Sequence, residues 1–376
     1  MIKNQFVDIH IIQTLPPSNV NRDDTGSPKS AMFGGVRRAR VSSQAWKRAT
    51  RLAFAELLDA SELGVRTKRA AELIGDEIVR HRPDLAEVAP NLGATVLKEA
   101  GIKLSKPKQE ARTGEDTGYL LFISNRQVHR LAELAIRESD GEAPEKGQAK
   151  EILGGGSSID LALFGRMVAD APDLAVDAAT RVAHAISVHA VETEYDYFTA
   201  VDEVKSREGS GEDAGAGMIG TVEFNSSTLY RYATVDLREL EASLGDREAV
   251  ARSTEAFVAS FARSMPSGKI NTFANATLPD LVFVRTRSDQ PVSLVGAFEC
   301  PPPRGSDGGW VTSAAEALAR YCADIDAMYG DGGGKSWIAC RSELAQGFGA
   351  IAERQDLNRV ISSVGRAVRE AQLEDA

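Results

Sequence analysis

Residues 6–15 restrict the fold more than any other segment, because they are rich in β-branched and apolar side chains and Pro16, Pro17 and Ser18 follow at once. Such a run reads as a core strand that stops at a loop, which is expected to run over 18–41. Further strands are expected at 186–200, where alternation slips phase near Val191 and implies a bulge, and at 221–235, 281–285, 292–298 and 336–340. Helical patterns fall at 43–58, 246–264, 313–329 and 358–372. This loose alternation, with antiparallel neighbours, makes the chain α+β. Residues 61–181 interrupt it with a mainly helical pattern (67–80, 126–138, 178–185) broken by polar or Gly-rich stretches, which reads as a helical insertion. The span 203–220 has five glycines and no aromatic residue, which favours a long mobile hairpin over core.

With 376 residues, 43% of them hydrophobic, the chain can bury a sizeable core across two or three structural units. The first dozen residues are too polar and too alternating for a signal peptide. No run approaches the roughly 20 apolar residues of a membrane span, so the cytoplasm is the expected location. Cys300, Cys322 and Cys340 are far apart and lack C-x-x-C spacing, which argues against a disulfide framework or a zinc site and for reduced, mostly buried thiols.

The charge distribution is uneven. Residues 25–55 carry Lys29, Arg37, Arg38, Arg40, Lys47, Arg48 and Arg51 and no carboxylate, although the whole chain has a formal charge of −10. A +7 window against a −17 remainder points to a polyanion held at one place. Ser42 and Ser43 supply N-cap chemistry for the helix that follows. On it, Gln44, Lys47, Arg48 and Arg51 recur at i, i+3, i+4 and i+7 and share one face, opposite an apolar stripe of Ala45, Ala49, Leu52 and Ala53. A capped helix N-terminus beside such a face suits backbone phosphates without base readout. For any single Lys or Arg a solvated surface is the plainer account; the joint pattern is harder to explain that way.

Other chemistry is weaker. His184 and His189 form a close pair, but a separation of five places them on opposite faces of a regular strand, so a shared metal is not expected. The stretch 330–336 resembles the end of a P-loop but has Tyr329 where glycine is needed, and it runs from helix to strand rather than the reverse. Asp23 and Asp24 could hold a cation, act as a base, or simply steady the neighbouring arginines. No catalytic residue, metal site or cofactor is expected.

Asn21, Arg22, Asp23 and Asp24, followed by Phe33, Gly34, Gly35, Arg37, Arg38, Arg40, Ser42, Ser43, Gln44, Lys47 and Arg48, closely resemble the CasC family, the backbone subunit of the type I-E CRISPR surveillance complex called Cascade. The likeness continues through Gly268, Lys269, Asn271, Phe273 and Ala274 and through Leu294, Ala297, Phe298 and Glu299. The resemblance implies a palm with a modified RNA-recognition-motif (ferredoxin-like) fold at 1–60, 182–202 and 221–376. It also implies helical fingers at 61–181 and a β-hairpin thumb at 203–220. It further implies a non-catalytic scaffold that binds CRISPR RNA and stacks head to tail with further copies of itself. Its other partners would be the large, small and end-capping Cascade subunits, with target DNA reached through the assembled complex. Lys29, Ser42, Gln44, Lys47 and Arg51 look like positions that grip the guide backbone, and Met167 sits where the family places an apolar side chain against the kinked guide. From the sequence alone Met167 reads as a core residue. The rival class is a metal-dependent endoribonuclease like type III backbone proteins, for which Asp116 and Asp160 lie in plausible loops.

Overall fold

The computed structural model describes residues 5–107, 114–168, 171–200, 218–305 and 308–373. The chain starts with β1 (Phe6–Ser18), forms a hairpin of β2 (Ser30–Phe33) and β3 (Val36–Val41), and enters α1 (Ser43–Ala53). Next come β4 (Gly64–Thr67), α2 (Ala70–His81), α3 (Ala89–Glu99), β5 (Leu104–Ser105), β6 (Asp116–Thr117) and β7 (Leu121–Ser124). They are followed by α4 (Asn125–Ser139), α5 (Gln148–Gly154) and α6 (Ile159–Phe164). The chain then returns to strands: β8 (Thr180–Val182), β9 (Ala185–Ser187), β10 (Glu194–Ala200) and β11 (Met218–Asp236). After them come α7 (Leu237–Leu244), α8 (Arg247–Arg263), α9 (Ile270–Phe273), β12 (Leu281–Arg287) and α10 (Val311–Tyr329). The last elements are β13 (Ser336–Cys340), β14 (Glu353–Arg354) and α11 (Leu357–Leu373).

The result is a mixed α+β fold. The main sheet runs β14-β13-β12-β1-β11-β9-β3-β2, with β8 and β10 as further partners of β11. β1 lies antiparallel between β11 and β12 and alternates cleanly. Val7, Ile9 and Ile11 enter a core with Trp46 of α1, Phe257 and Phe261 of α8 and Val360 and Val364 of α11. Ile12 faces the opposite core, with Tyr230, Phe283 and Phe298 and with Leu318 and Cys322 of α10. Helices thus cover both faces of the sheet, as two apolar faces require. A separate apolar core, drawn from Ala70 to Leu174, joins α2, α3, α4 and α5 to β7. No helix among the described residues is long and apolar enough to cross a membrane.

Several expectations change. Residues 18–41 are not one loop: they contain the β2–β3 hairpin, turned by Gly34 (φ +59°) and Gly35 (φ +77°), a left-handed pair that suits a two-residue hairpin turn. Residues 178–185 form strand rather than helix, because β8 and β9 both dock on β11. The break between β9 and β10 is wider than a bulge. Val295–Phe298 is a 3-10 turn that buries Phe298, not a strand. α7, capped by the Asp236 carboxylate, is an addition that the sequence pattern does not signal. On α1 the buried residues are Trp46, Ala49 and Thr50, while Leu52 is exposed. All three cysteines are free, but Cys300 is exposed. Of the hairpin expected at 203–220, residues 203–217 lie outside the described residues.

Candidate nucleic-acid interface

The basic window folds into a hairpin strand and a helix, and a small set of polar residues fixes the angle between them. The Asn21 carbonyl accepts from the Lys29 amide, and its side-chain Oδ1 accepts from the Ser42 amide at 2.8 Å. Ser42 is extended (φ −65°, ψ 148°), and its Oγ accepts from the Ala45 amide at 3.3 Å, as an N-cap should. Ser43 donates its amide to Nδ1 of His184 at 3.0 Å. Two of the first helical amides are therefore used inside the chain. Asp23 Oδ1 accepts from the Thr25 amide, the Thr25 hydroxyl and the Ser27 amide, which closes a local turn and holds its carboxyl below the ordinary value. That accounts for Asp23 as a structural residue.

Trp46 anchors α1. Its ring is 1% exposed, and the Arg231 guanidinium lies over it, 3.6 Å from the ring centroid, and over Phe261 at 4.5 Å. Arg231 donates to Gln13 Oε1 at 2.6 Å and to the Phe261 carbonyl. Burial pushes this guanidinium well down from its ordinary value, and the aromatic faces and acceptors offset the cost of holding it there. Trp46 is thus a packing residue with no face left for a base.

Turned outward, Gln44 and Arg48 are exposed and Lys47 and Arg51 are half-buried. Arg51 lies 5.5 Å from the Phe122 ring centroid, and Arg66 of β4 lies over the same ring at 5.1 Å. Burial, then the charge of Arg66, pushes the Lys47 ammonium down; burial also lowers Arg51, with Asp160 opposing and Arg66 and Arg48 adding to the shift. The Asp160 carboxylate lies 4.0 Å from Arg51. Asp160 is itself buried and accepts from the Ser158 hydroxyl at 2.7 Å and the Gly64 amide at 2.9 Å. Among the described residues, the face therefore holds like charges around one aromatic ring with Asp160, already bonded elsewhere, as counter-charge. Arg66 escapes a reading of the sequence because it follows the acidic stretch Glu56, Asp59 and Glu62. Pairing of β4 with β7 brings it to Phe122.

The hairpin residues divide. Lys29 and Arg40 are partly exposed and sit beside His184, whose pKa is lowered by burial and then by Arg40 and Lys29. Arg37 is exposed and donates to Ser30 Oγ at 3.2 Å. Arg38 is the correction: its residue exposure is 0%, and its guanidinium donates to the carbonyls of Phe33 (3.1 Å), Ser187 (3.0 Å), Phe298 (2.8 Å) and Glu299 (3.2 Å). Its charge is consumed inside the protein. Ser42 is a second one, since its hydroxyl is buried and used as the cap. Met167 departs from the core reading in the other direction, being 86% exposed. Its neighbour Arg166 is buried and donates to the carbonyls of Leu174 and Leu153, pinning the turn that displays it. Tyr195 and Tyr197 of β10 are also exposed, two residues apart on one face of the ribbon.

His189 has a structural role. His189 accepts the Thr228 amide on Nε2 and stacks on Trp310, far from the use His184 makes of its ring. Three separated sequence blocks meet at the site: a Cβ on Gly34 would lie 1.6 Å from the Glu299 carbonyl oxygen, and one on Gly268 would lie 2.2 Å from that of Val20.

Fold and site together define an α+β protein that carries a cationic face, open to solvent and poor in counter-charge, on a capped helix beside a basic hairpin. The chain belongs to the CT1975-like protein family, which it matches over residues 7–363. Among solved structures, a chain of a CRISPR RNA-guided surveillance complex in a pre-nicking state is 34% identical, with a TM-score of 0.80 over 96% of this chain and 100% of that one. A chain from another CRISPR RNA-guided surveillance complex is 30% identical, with a TM-score of 0.70 over 95% of this chain and 99% of that one. Curated proteins gave no match.

Proposed function

We propose that this protein is a non-catalytic backbone subunit of a type I-E Cascade, of the CasC kind, that binds CRISPR RNA and stacks head to tail along it. The observation that carries the reading is the α1 face, where Arg51 and Arg66 lie over Phe122 with Lys47 close enough to feel the charge of Arg66, and where Asp160 is the carboxylate near Arg51 among the described residues. Full-length similarity to chains of RNA-guided surveillance complexes supports it. In this account Gln44, Lys47, Arg48, Arg51 and Arg66 hold consecutive guide phosphates, and Lys29, Arg37 and Arg40 extend the cationic track along the hairpin. Exposed Met167 and the tyrosines of β10 supply apolar and stacking surface where the guide bends. Phosphate contacts leave base edges free to pair with DNA, so specificity belongs to the guide. The sheet built on β1, β11 and β12 is the modified RNA-recognition-motif palm, the helical core of Ala70 to Leu174 the fingers, and the ribbon of β10 and β11 the root of the thumb.

The endoribonuclease alternative gains nothing from Asp160, whose carboxylate is buried and bonded to Ser158 and Gly64. Co-expression of the chain with its neighbouring subunits and guides of unrelated sequence tests the proposal. The expected result is protected RNA whose length tracks the number of copies bound. Regular cuts in a complementary RNA supplied with Mg²⁺ would replace the scaffold by an enzyme.

A further inference from the structure

Away from the basic face, the helical core brings together three side chains of ligating type. Glu77 and His81 lie one turn apart on α2, so both point the same way, and His129 of α4 faces them. Glu77 Oε1 is 3.1 Å from His81 Nε2 and 3.1 Å from His129 Nδ1, and the three ligand atoms lie within 4.8 Å of one another. The two imidazoles are 5.1 Å apart between centroids. From this convergence we propose that Glu77, His81 and His129 form a binding site for one divalent transition-metal ion of the zinc class, which would staple α2 to α4.

Two independent features of the surroundings fit. His129 Nε2 is 3.4 Å from the carboxylate of Glu133, one turn further along α4. A histidine that gives its Nδ1 lone pair to a metal carries its proton on Nε2 and donates it to just such a carboxylate, which fixes the tautomer and ring angle. The second feature is a cleft of about 400 Å³ that opens beside the cluster and is lined by Ser61, Asp76, Glu77 and His129 among others, leaving room for solvent ligands. Two imidazole nitrogens and one carboxylate oxygen suit zinc, cobalt or nickel rather than the all-oxygen shell of calcium or magnesium. The Arg80 guanidinium is bonded to Glu77 Oε2, so Oε1 is the oxygen left for the ion. On metal entry each neutral imidazole gives the lone pair of the nitrogen facing the ion and keeps its one proton on the other ring nitrogen, so no ring proton leaves and no redox step is involved.

The test uses the full-length, tag-free chain, stripped with a chelator and titrated with Co²⁺ alone while visible absorption is followed. The expected result is saturation at one equivalent, with d–d bands but no thiolate charge-transfer band, and a thermal midpoint that rises with added ion. Both His81→Asn and His129→Asn should weaken binding at least tenfold, and Glu133→Gln should weaken it by about 10-fold through its effect on His129. All three side chains are at least partly exposed, so circular dichroism should report native folding for each variant. Unsaturable absorption, a thiolate band from the cysteines, or unchanged affinity in both histidine variants would overturn the site. Because RNA is absent from the titration, its failure would leave the proposed guide binding untouched.

Discussion

The hairpin strand β3 and the helix α1 share one stretch of positive charge and use it in opposite ways. In β3, Arg38 turns inward and gives its donors to four backbone carbonyls, two of them from Phe298 and Glu299, distant in the sequence. In α1, Lys47 and Arg51 stay at the surface among other cations, with Asp160 at the edge of reach. Identical side-chain chemistry is structural where acceptors surround it and available to a ligand where they do not. Cations crowded together with little counter-charge are held at an electrostatic cost, and a polyanion relieves it.

That contrast breaks most easily at Arg38. Replacing it with Met strands buried carbonyls and should cost roughly 3–5 kcal/mol, read as a lower urea midpoint, with guide binding lost only in proportion to unfolding. Trp46→Ala should cost a similar amount, about 3–5 kcal/mol, because it opens a cavity and uncovers the Arg231 guanidinium. If Arg38→Met left stability intact and abolished RNA retention instead, the division between the two elements would be wrong.

The helix should behave in the reverse manner. Lys47→Gln combined with Arg66→Gln should change stability by no more than about 0.5 kcal/mol. The same pair should lower the slope of log affinity against log salt by about 1.4 per subunit, equally for unrelated guides, given about 0.7 for each single-strand phosphate that is no longer neutralised. Loss for one guide alone would require base readout. Arg66→Gln by itself is the sharper test, since its place at the site follows from the structure; about half that slope change is expected.

The smallest effect separates interior from surface through pH. Burial pushes the His10 imidazole down to about 3, with Arg285 and Arg287 adding to the shift, while burial pushes the Asp8 carboxyl up to about 6 against hydrogen bonds from Val292 and Tyr232. Below about pH 6.5 an unfolded His10 takes a proton that the folded ring refuses, so its contribution falls as pH drops toward about 3. Asp8 acts in the other direction: the folded carboxyl is protonated first, so its contribution grows as pH falls through about 6. Between pH 7 and 5 the two largely cancel, leaving a net loss of about 0.6 kcal/mol. His10→Gln should turn that loss into a gain of about 1 kcal/mol over the same interval, measured by urea unfolding at both values.

Much of the architecture was legible because periodicity reports burial directly. β1, α8, α10, β13 and α11 lie where alternation or a 3.6-residue repeat placed them, and the mixed α+β class followed. Failures came where local pattern and tertiary pairing disagree. The alanine-rich 178–185 looks helical alone but completes the edge of β11, and the apolar run 292–298 buries Leu294 and Phe298 from a 3-10 turn. The β2–β3 hairpin was hidden because both strands are short and β3 is rich in arginine, although Gly34 and Gly35 marked its turn. At the site, α1 and its cap were readable from Ser42 onward. The burial of Arg38 was not, since its acceptors lie up to 261 residues away. Nor was Arg66, whose position depends on the pairing of β4 with β7.

β11 is 19 residues long, about 60 Å end to end, and it changes partners along the way. From Asn225 to Asp236 it is bonded to β1 in the middle of the sheet; from Met218 to Phe224 it pairs with β10. A single covalent strand is therefore clamped at one end and carried outward at the other, as a cantilever is. Because a two-stranded ribbon is only marginally stable alone, its stiffness is borrowed from the clamped half. Whatever the outer end touches is thereby registered against the sheet to within the pleat of one strand. In the proposed head-to-tail stack, that arrangement would act as a ruler.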